Sequence, residues 1–319
     1  MILITGASGF LGRHLVRRLV GAGETVRCLV RAESAGLPWL QAQSVEVAPG
    51  HLLDAEAVGA ACRGSRQVVH LAAPVHEGGD AVVERVNRQG TEILVDAARC
   101  ARVERVLMVS PLGTASSAGL PFLRSRGVAE DCLRESGLPF VILQSSLMFG
   151  RGDRLIGGMI RLLQRTGLLL IPGTGKTMLQ PIWVGDVVSC LLRALYDEAA
   201  LDRTIPLGGP QHLSYEEIAD QVAKMLNVPR MKIHLSRRTA AWVARLLEGL
   251  GQNPFLGHRH LELLEVGTIT ALDAVRRSFG FQAMPLIEGV AYQLVPTTEI
   301  GTGPQATGVS RGSRTRDHR

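Results

Sequence analysis

The sequence predicts an α/β protein: a doubly wound parallel sheet with a smaller, mostly helical C-terminal cap. Two observations support this prediction. Short β-branched runs alternate with longer amphipathic stretches through residues 1–145, and a Gly-rich turn follows the first of these runs. Such alternation is typical of parallel strands joined by crossover helices that cover both faces of a sheet.

The alternating elements follow one another from residue 2 to residue 143. The predicted strands cover 2–5, 25–30, 45–47, 67–71, 106–110 and 140–143, and the predicted helices cover 11–20, 55–62, 81–101 and 124–136. We expect these elements to form one domain over 1–145.

Beyond residue 145 the pattern loosens into loops rich in Gly and Pro, and helices then predominate. Helices are predicted at 185–197, 215–226, 236–249, 258–265 and 271–278, and a capping box of Ser214 and Glu217 opens the second of them. We expect 178–200 to return to the first domain and 146–295 to form the cap. Residues 296–319 lack apolar periodicity, which predicts a disordered tail.

Composition limits the class of protein. With 46% hydrophobic and 20% charged residues, the chain has the balance of a soluble globular protein. The net charge of +6 comes from scattered Arg, and aromatic residues make up 4%, so we expect no nucleic-acid partner. Five Cys are spread singly, which favours a reducing, cytoplasmic location and no metal site.

The Gly-rich turn is the strongest motif. Gly6, Gly9 and Gly12 form G-x-x-G-x-x-G between the first strand and the first helix. Glycines here allow a tight turn and close approach of the backbone to a pyrophosphate, which the helix N-terminus also attracts. The motif therefore predicts a Rossmann dinucleotide site with cofactor contacts from Gly6, Ala7, Ser8, Gly9, Phe10, Leu11 and Gly12.

The second strand indicates which dinucleotide is bound. Arg31 follows Val30 at the tip of this strand. An NAD site usually has a carboxylate near this position, whereas an NADP site presents Arg to the 2′-phosphate. The sequence therefore favours NADP(H) over NAD(H).

Further motifs extend these observations to a family resemblance. HLAA at 70–73, N-x-x-G-T beginning at Asn87, and LQPIWVGDVV at 179–188 follow the Gly-rich turn in this order. Over residues 1 to about 295 the chain resembles the extended or atypical short-chain dehydrogenase/reductases, an epimerase/dehydratase-like Rossmann family. It is most similar to the group that contains the NAD(P)H-binding accessory subunit of respiratory complex I and its bacterial relatives.

The resemblance implies further cofactor contacts. HLAA resembles the segment that lines the cofactor after the fourth strand, which implies contacts from Leu71, Ala72 and Ala73. His51 stands where the family usually has an Asp that contacts adenine, and Leu52 follows it.

The region that resembles the family's catalytic motif lacks its acid. The family carries Tyr-x-x-x-Lys, and Phe122 and Arg126 stand at these two positions. Phe cannot transfer a proton, and loss of a general acid typically removes about 10²–10⁴-fold of rate. Arg126 can still bind a ribose or a phosphate. The family's catalytic hydroxyl should fall within SPLGT, which leaves both Ser110 and Thr114 open.

Another side chain could supply the proton. His76, in the loop after HLAA, is the best candidate because an unperturbed His titrates near neutral pH, although a solvated loop His beside Glu77 is the commoner interpretation. Tyr196, Tyr215 and Tyr292 are predicted on elements away from the site. We expect Asp186 to cap or buttress a helix.

Three functions remain open from the sequence. The first is an NADP(H)-binding sensor, regulatory protein or accessory subunit with a degenerate catalytic pair and little or no turnover. The second is an active NAD(P)H-dependent oxidoreductase or epimerase that acts on an unknown small molecule through another proton donor. The third is a scaffold with an empty pocket, which would associate peripherally with a larger complex or a membrane through a basic helix near 230–245, with Arg230, Lys232, Arg237, Arg238 and Arg245.

Overall fold

The computed structural model describes residues 1–73, 79–228, 230–236, 238–242, 257–264 and 266–294. Its strands are β1 (Ile2–Thr5), β2 (Val26–Val30), β3 (Glu46–Pro49), β4 (Gln67–His70), β5 (Arg105–Pro111), β6 (Phe140–Ser145), β7 (Met148–Phe149), β8 (Leu168–Pro172), β9 (Met178–Leu179), β10 (Ile182–Trp183), β11 (Arg203–Leu207), β12 (Leu213–Ser214) and β13 (Met231–Leu235).

The helices alternate with these strands in the first part of the chain and predominate later. They are α1 (Phe10–Gly21), α2 (Leu37–Gln41), α3 (Ala55–Cys62), α4 (Asp80–Cys100), α5 (Pro121–Glu135), α6 (Leu155–Thr166), α7 (Val184–Ala194), α8 (Tyr215–Leu226), α9 (His258–Leu263), α10 (Ala274–Phe279) and α11 (Leu286–Leu294). Within the described ranges, none of these helices is long and apolar enough to cross a membrane.

A seven-stranded parallel sheet forms the centre of the fold. Its strand order is β11-β6-β5-β4-β1-β2-β3. The chain moves outward from β1 to β3 on one side and then from β4 to β11 on the other, so the strand order reverses beside β1. Ligands of such sheets bind in the crevice outside the carboxyl ends of the strands at this reversal. The doubly wound fold predicted from the sequence is confirmed.

Apolar side chains cover both faces of the sheet. On one face, α1 and α7 contribute Leu15, Leu19 and Leu191 to a buried cluster with the strands. On the other face, α3, α4 and α5 pack in the same way, with Leu94 and Leu133 among the buried residues. The central strands β1, β4 and β5 are almost continuously buried, as expected for a parallel sheet with helices on both faces.

The C-terminal part has a core of its own. Ile156 and Ile160 of α6 pack with Ile218 and Val222 of α8 and with the partly buried Leu235 of β13. Helix α8 begins with the predicted capping box, because the Ser214 hydroxyl accepts from the Glu217 N–H and the Glu217 carboxylate accepts from the Ser214 N–H. The predicted helix 236–249 is described only in part, at 236 and 238–242, and the predicted tail 296–319 lies outside the described residues.

The predicted basic helix near 230–245 is wrong in its first part. Residues 231–235 form β13, which pairs in parallel with β8. Lys232 donates to Glu216 and Asp220 at 2.7 and 2.8 Å, and Arg230 donates to Asp220 at 3.0 Å. These two cations therefore face α8 carboxylates and are not presented together on a helix.

Candidate functional site

A cavity of about 950 Å³ opens at the carboxyl ends of the central strands. Its lining includes almost all of the cofactor contacts expected from the sequence: Gly6, Ser8, Gly9, Phe10, Leu11, Gly12, Arg31, His51, Leu52, Leu71, Ala72, Ala73 and Arg126. Ala7 does not line it. Ala7 is fully buried beneath the turn, where its backbone packs against Gly12.

The geometry of the Gly-rich turn explains two of its glycines. Gly6 has φ +74°, and a Cβ atom there would lie 2.6 Å from the Ala72 backbone nitrogen. A Cβ atom on Gly12 would lie 2.3 Å from the Gly6 carbonyl oxygen. Any side chain at either position would therefore push apart the first helix, the turn and the end of β4. The turn is a cradle of backbone whose open side faces the cavity.

A buried hydrogen-bond chain supports this cradle from below. The Thr91 hydroxyl donates to the Asn87 carbonyl at 2.6 Å, so its oxygen accepts from His70 Nε2 at 3.2 Å. His70 Nδ1 then accepts from the Thr5 hydroxyl at 2.7 Å, and Thr5 accepts from the Ala72 N–H at 3.4 Å. Burial lowers the pKa of His70 to about 3, and the positive charge of Arg126 acts in the same direction. The ring is therefore neutral, and its tautomer is fixed by the two hydroxyls.

Cationic side chains gather at the end of the cavity beside β2. Arg31 lines the cavity together with Arg13 and Arg17, whose guanidinium carbons each lie 5.3 Å from the centroid of the Trp39 ring. Arg13 Nε also donates to the Ser8 carbonyl at 3.0 Å. Sequence reasoning found Arg31 but missed Arg13 and Arg17, although Arg13 directly follows the last glycine of the turn.

The residue predicted to stand at the position of the family's catalytic Tyr is apolar. Phe122 is 6% exposed, lines the cavity, and packs in a small cluster with Val83 and Leu263. No hydroxyl is available from this side chain. The aromatic ring fills the position without offering a proton.

The neighbouring hydroxyl is that of Ser110. It lines the cavity, and its oxygen accepts from Arg126 Nη2 at 3.1 Å. Thr114 is not part of the lining, and its carbonyl accepts from Gln144 at 3.2 Å. Of the two hydroxyls left open by the sequence, the structure therefore brings Ser110 to the cavity.

Arg126 is a fully buried cation. Its Nη2 also donates to the Val109 carbonyl at 2.6 Å, whereas its Nε and Nη1 have no hydrogen-bond partner within the described part of the chain. Burial lowers the pKa of Arg126 to about 10, and the carboxylate of Glu130 opposes this shift. Arg126 is therefore charged at neutral pH. Two nitrogen donors without a partner, beside a backbone cradle, fit a ligand that has oxygen acceptors. A dinucleotide has such acceptors on its ribose and phosphate groups.

The other proposed proton donors fall into two groups. His76 lies outside the described residues. The Tyr196 hydroxyl donates to Glu24 at 2.6 Å, Tyr215 is buried in the cap core, and Tyr292 contacts the Trp183 ring. None of these three tyrosines belongs to the described lining of the cavity.

Asp186 buttresses the junction with the cap. It lies in the first turn of α7 and accepts from the Met284 N–H at 2.7 Å. Burial raises the pKa of Asp186 to about 6. Asp186 does not line the cavity. Its position therefore supports the packing of α7 and does not place it for contact with a bound ligand.

Comparison with known proteins agrees with this geometry. Residues 6–152 match a family described as NAD(P)H-binding. A photosystem II assembly factor of Cyanophora paradoxa is 29% identical, with 76% of this chain and 75% of that protein covered. Subunit 9 of the mitochondrial NADH dehydrogenase [ubiquinone] 1 alpha subcomplex of Arabidopsis thaliana is 28% identical, with 70% and 57% covered. A ceramide reductase of Caulobacter vibrioides is 31% identical, with 53% of each chain covered.

Solved structures share the fold. The NADPH-dependent quinone oxidoreductase of Escherichia coli has a TM-score of 0.72 at 19% identity, with 92% of this chain and 99% of that chain covered. The resemblance to the atypical short-chain dehydrogenase/reductases is thus confirmed: residues 6–152 match an NAD(P)H-binding family, and the chain shares its fold with the solved structures.

Proposed function

We propose that this protein binds NADP(H) as a sensor, regulatory protein or accessory subunit, and that it turns over little or no substrate. The observation that carries this proposal is the buried Phe122 at the position of the catalytic acid, beside a nucleotide cradle that is complete. A site that binds nucleotide only in the folded state stabilises that state, by about 2.7 kcal/mol at a hundredfold excess over Kd. Bound nucleotide would therefore couple the folding of this protein to the supply of NADPH.

The arrangement of Arg126 supports the loss of catalysis. In the family the cation at this position lowers the pKa of the Tyr hydroxyl, but here the facing side chain has no proton to release. Arg126 instead donates to the Val109 carbonyl and to Ser110. Its remaining donors would hold the bound nucleotide, so we assign Arg126 to binding. The nicotinamide would supply hydride chemistry when bound, but Phe122 supplies no matching proton.

The charge of the cavity supports NADP(H) over NAD(H). Arg31 lines the cavity at the tip of β2, whereas Glu33 does not line it and lies 3.7 Å from Arg31. Arg13 and Arg17 add positive charge at the same end. A 2′-phosphate would thus meet three guanidinium groups, which recognise phosphate through charge-assisted hydrogen bonds.

The relatives point to the same kind of role. Two of them are named as an assembly factor and as a subunit of mitochondrial NADH dehydrogenase [ubiquinone], and the third is named as a reductase. We propose association with a larger complex in a reducing, cytoplasmic setting, where the five unpaired thiols would persist.

The alternative is an active NAD(P)H-dependent oxidoreductase or epimerase. The hydrogen bond from Arg126 to Ser110 favours it, because a cation at 3.1 Å stabilises a developing negative charge on that oxygen. In this function Ser110 would transfer the proton that the family takes from Tyr.

NADPH consumption separates the two functions. We expect the unaltered protein to consume NADPH at close to the background rate with a panel of quinones, aldehydes and nucleotide sugars. Restoring the family pair with Phe122→Tyr and Arg126→Lys should raise the rate by 10-fold or more, since a general acid contributes about 10²–10⁴-fold. The matched control is Phe281→Tyr, which adds the same hydroxyl beside Arg193, away from the cavity. Rapid turnover by the unaltered protein would establish the alternative.

Cofactor preference is tested by reversing one charge. Arg31→Glu should weaken NADPH binding by about 10-fold or more while leaving NADH binding unchanged or improved, because only NADPH carries the 2′-phosphate. Arg85→Glu on the exposed face of α4 is the control for the change in net charge. Equal loss of affinity for both nucleotides would show that Arg31 does not recognise the 2′-phosphate.

A further inference from the structure

One face of α6 carries three arginines. Arg154 is the residue before α6, and Arg161 and Arg165 follow it by seven and eleven residues, close to two and three full turns, so the three lie on one face. All three are exposed, whereas Ile156 and Leu163 on the opposite side are buried. The helix itself contains no acidic residue. We call this surface the cationic face of α6.

Neighbouring carboxylates do not neutralise this face. The guanidinium groups of Arg161 and Arg165 make no ion pair or hydrogen bond with the described part of the chain. The nearest acidic residue in sequence is Asp153, which is buried. Its carboxylate accepts from the Gly157 N–H at 3.0 Å and from the Gln293 amide at 3.0 Å. The positive charge of the cationic face is therefore available to an external partner.

Helix α11 presents an exposed apolar stripe. Ile287, Ala291 and Leu294 stand at positions i, i+4 and i+7, which places them on one side of this helix. Ile287 is 36% exposed and Leu294 is 41% exposed, and Ala291 is exposed as well. Another side of the helix is buried in the cap core through Leu286 and Val290. The apolar stripe is thus a surface feature and not part of the core.

Close packing at Gly157 brings the stripe and the cationic face together. A Cβ atom at Gly157 would lie 3.1 Å from the Gln293 amide nitrogen and 3.4 Å from Arg161 Nη1. The Arg161 guanidinium therefore lies beside α11, next to the residue that precedes Leu294. The cationic face of α6 and the apolar stripe of α11 form one amphipathic surface.

The chemistry of this surface matches an anionic membrane. Guanidinium groups bind phosphate through charge-assisted hydrogen bonds, and aliphatic side chains beside them leave water by entering the boundary between headgroups and acyl chains. A nucleic acid would pair with the arginines but would leave Ile287 and Leu294 in water, since it offers bases that stack on aromatic rings. A helix of another protein would need an apolar groove, whereas the stripe lies along an exposed helix.

We propose that the amphipathic surface docks on an anionic lipid membrane. Arg161 and Arg165 would contact lipid phosphates, and Ile287, Ala291 and Leu294 would enter the interface. This inference goes beyond the proposed function, because none of these five residues lines the nucleotide cavity and docking needs no bound nucleotide. Docking of this kind would hold the nucleotide site at a membrane surface.

Flotation with lipid vesicles tests the proposal. The full chain is mixed with vesicles of phosphatidylcholine alone and with vesicles in which about one-third of the lipid is phosphatidylglycerol. We expect flotation only with the anionic vesicles, and weaker binding as the salt concentration rises, because salt screens the charge of the arginines. Equal flotation with both kinds of vesicle, or with neither, would overturn the proposal.

Charge reversal locates the cationic part of the surface. Arg161→Glu combined with Arg165→Glu should weaken binding to the anionic vesicles by about 25-fold or more, since each arginine near such a surface contributes about fivefold. Arg85→Glu combined with Arg124→Glu is the matched control, because these exposed arginines of α4 and α5 change the net charge equally and do not line the cavity. Equal effects of the two pairs would show that net charge alone matters and would contradict the proposed surface.

Polar substitution locates the apolar part. Ile287→Ser combined with Leu294→Ser should weaken vesicle binding by about 10-fold or more, because fewer methylenes then leave water. The matched control is Ile269→Ser combined with Leu272→Ser, since these side chains are 46% and 48% exposed and lie outside both helices. Unchanged binding by the α11 variant would exclude the stripe.

NADPH binding is measured separately on each variant. An unchanged NADPH-induced increase in Tm would show that loss of vesicle binding does not result from unfolding. If the unaltered protein floats with anionic vesicles but binds no NADPH, the proposed function fails alone. If it binds NADPH and does not float, only the present inference fails.

Discussion

Substitution of Gly12 by Ala tests the packing that shapes the nucleotide cradle. The added Cβ would lie 2.3 Å from the Gly6 carbonyl oxygen and 2.7 Å from the Ala7 Cα atom. Both neighbours are backbone atoms, so the turn or α1 must shift by about 1 Å. Overpacking of this kind costs typically about 1–3 kcal/mol, and we expect the upper end of this range because no flexible side chain can move away.

Thermal unfolding with and without NADPH measures both consequences. At about 2–4 °C per kcal/mol, Gly12→Ala should lower Tm by roughly 6 °C or more. The increase in Tm on addition of NADPH, which reflects binding to the folded state, should also be lost in this variant.

The control lies in the same helix. Gly21 ends α1, and a Cβ atom there meets nothing within 4 Å. Gly21→Ala should therefore change stability by at most about 1 kcal/mol, in the stabilising direction, with the NADPH effect intact. If Gly12→Ala unfolds within 2 °C of the unaltered protein and still responds to NADPH, the close packing of helix and turn is not what forms the site.

Two further substitutions test buried charges. Arg126→Met should change the Tm of the nucleotide-free protein little, because Arg126 already has two donors without described partners. The same substitution should at least halve the NADPH-induced increase in Tm. An unchanged increase would exclude Arg126 from the nucleotide site. Burial raises the pKa of Asp186 to about 6, which is above its value in the unfolded chain. The charged carboxylate therefore destabilises the folded protein above pH 6, and this destabilisation disappears as the pH falls toward 4. Asp186→Asn should therefore raise Tm at pH 8, by an amount equivalent to about 1–3 kcal/mol, and give no gain near pH 4; the same gain at both values would show that the charge is not responsible.

Much of the fold could be predicted because its signals are local. The alternation of strands and helices in 1–145 and the capping box of α8 depend on residues close in sequence, and the structure confirms both. The seven strands from β7 to β13 were missed, and two of them show why. Arg203–Leu207 becomes the edge strand β11 because it pairs with β6, and Met231–Leu235 becomes β13 because it pairs with β8. Pairing across such distances leaves little trace in a single sequence, and basic residues in 230–235 made the second strand resemble a helix.

The candidate site was likewise predicted only where its signals are local in the sequence. The glycine spacing predicted the cradle, and Phe122 and Arg126 were found because they stand four residues apart in a recognisable segment. Sequence reasoning could not choose between Ser110 and Thr114, because both are buried hydroxyls four residues apart and only Ser110 lines the cavity. It also could not find the hydrogen bond between Thr5 and His70, which joins two neighbouring strands 65 residues apart in sequence.

The titration of the unaltered protein with NADPH, monitored by the absorbance of the reduced nicotinamide before and after carbonyl compounds are added, tests the central claim most directly. A cradle with no acid beside it predicts saturable binding of one nucleotide per chain and an absorbance that then stays constant. Failure to bind would contradict the nucleotide site itself, and a rapid loss of absorbance would contradict the assignment of Phe122 as the residue at which catalysis was lost.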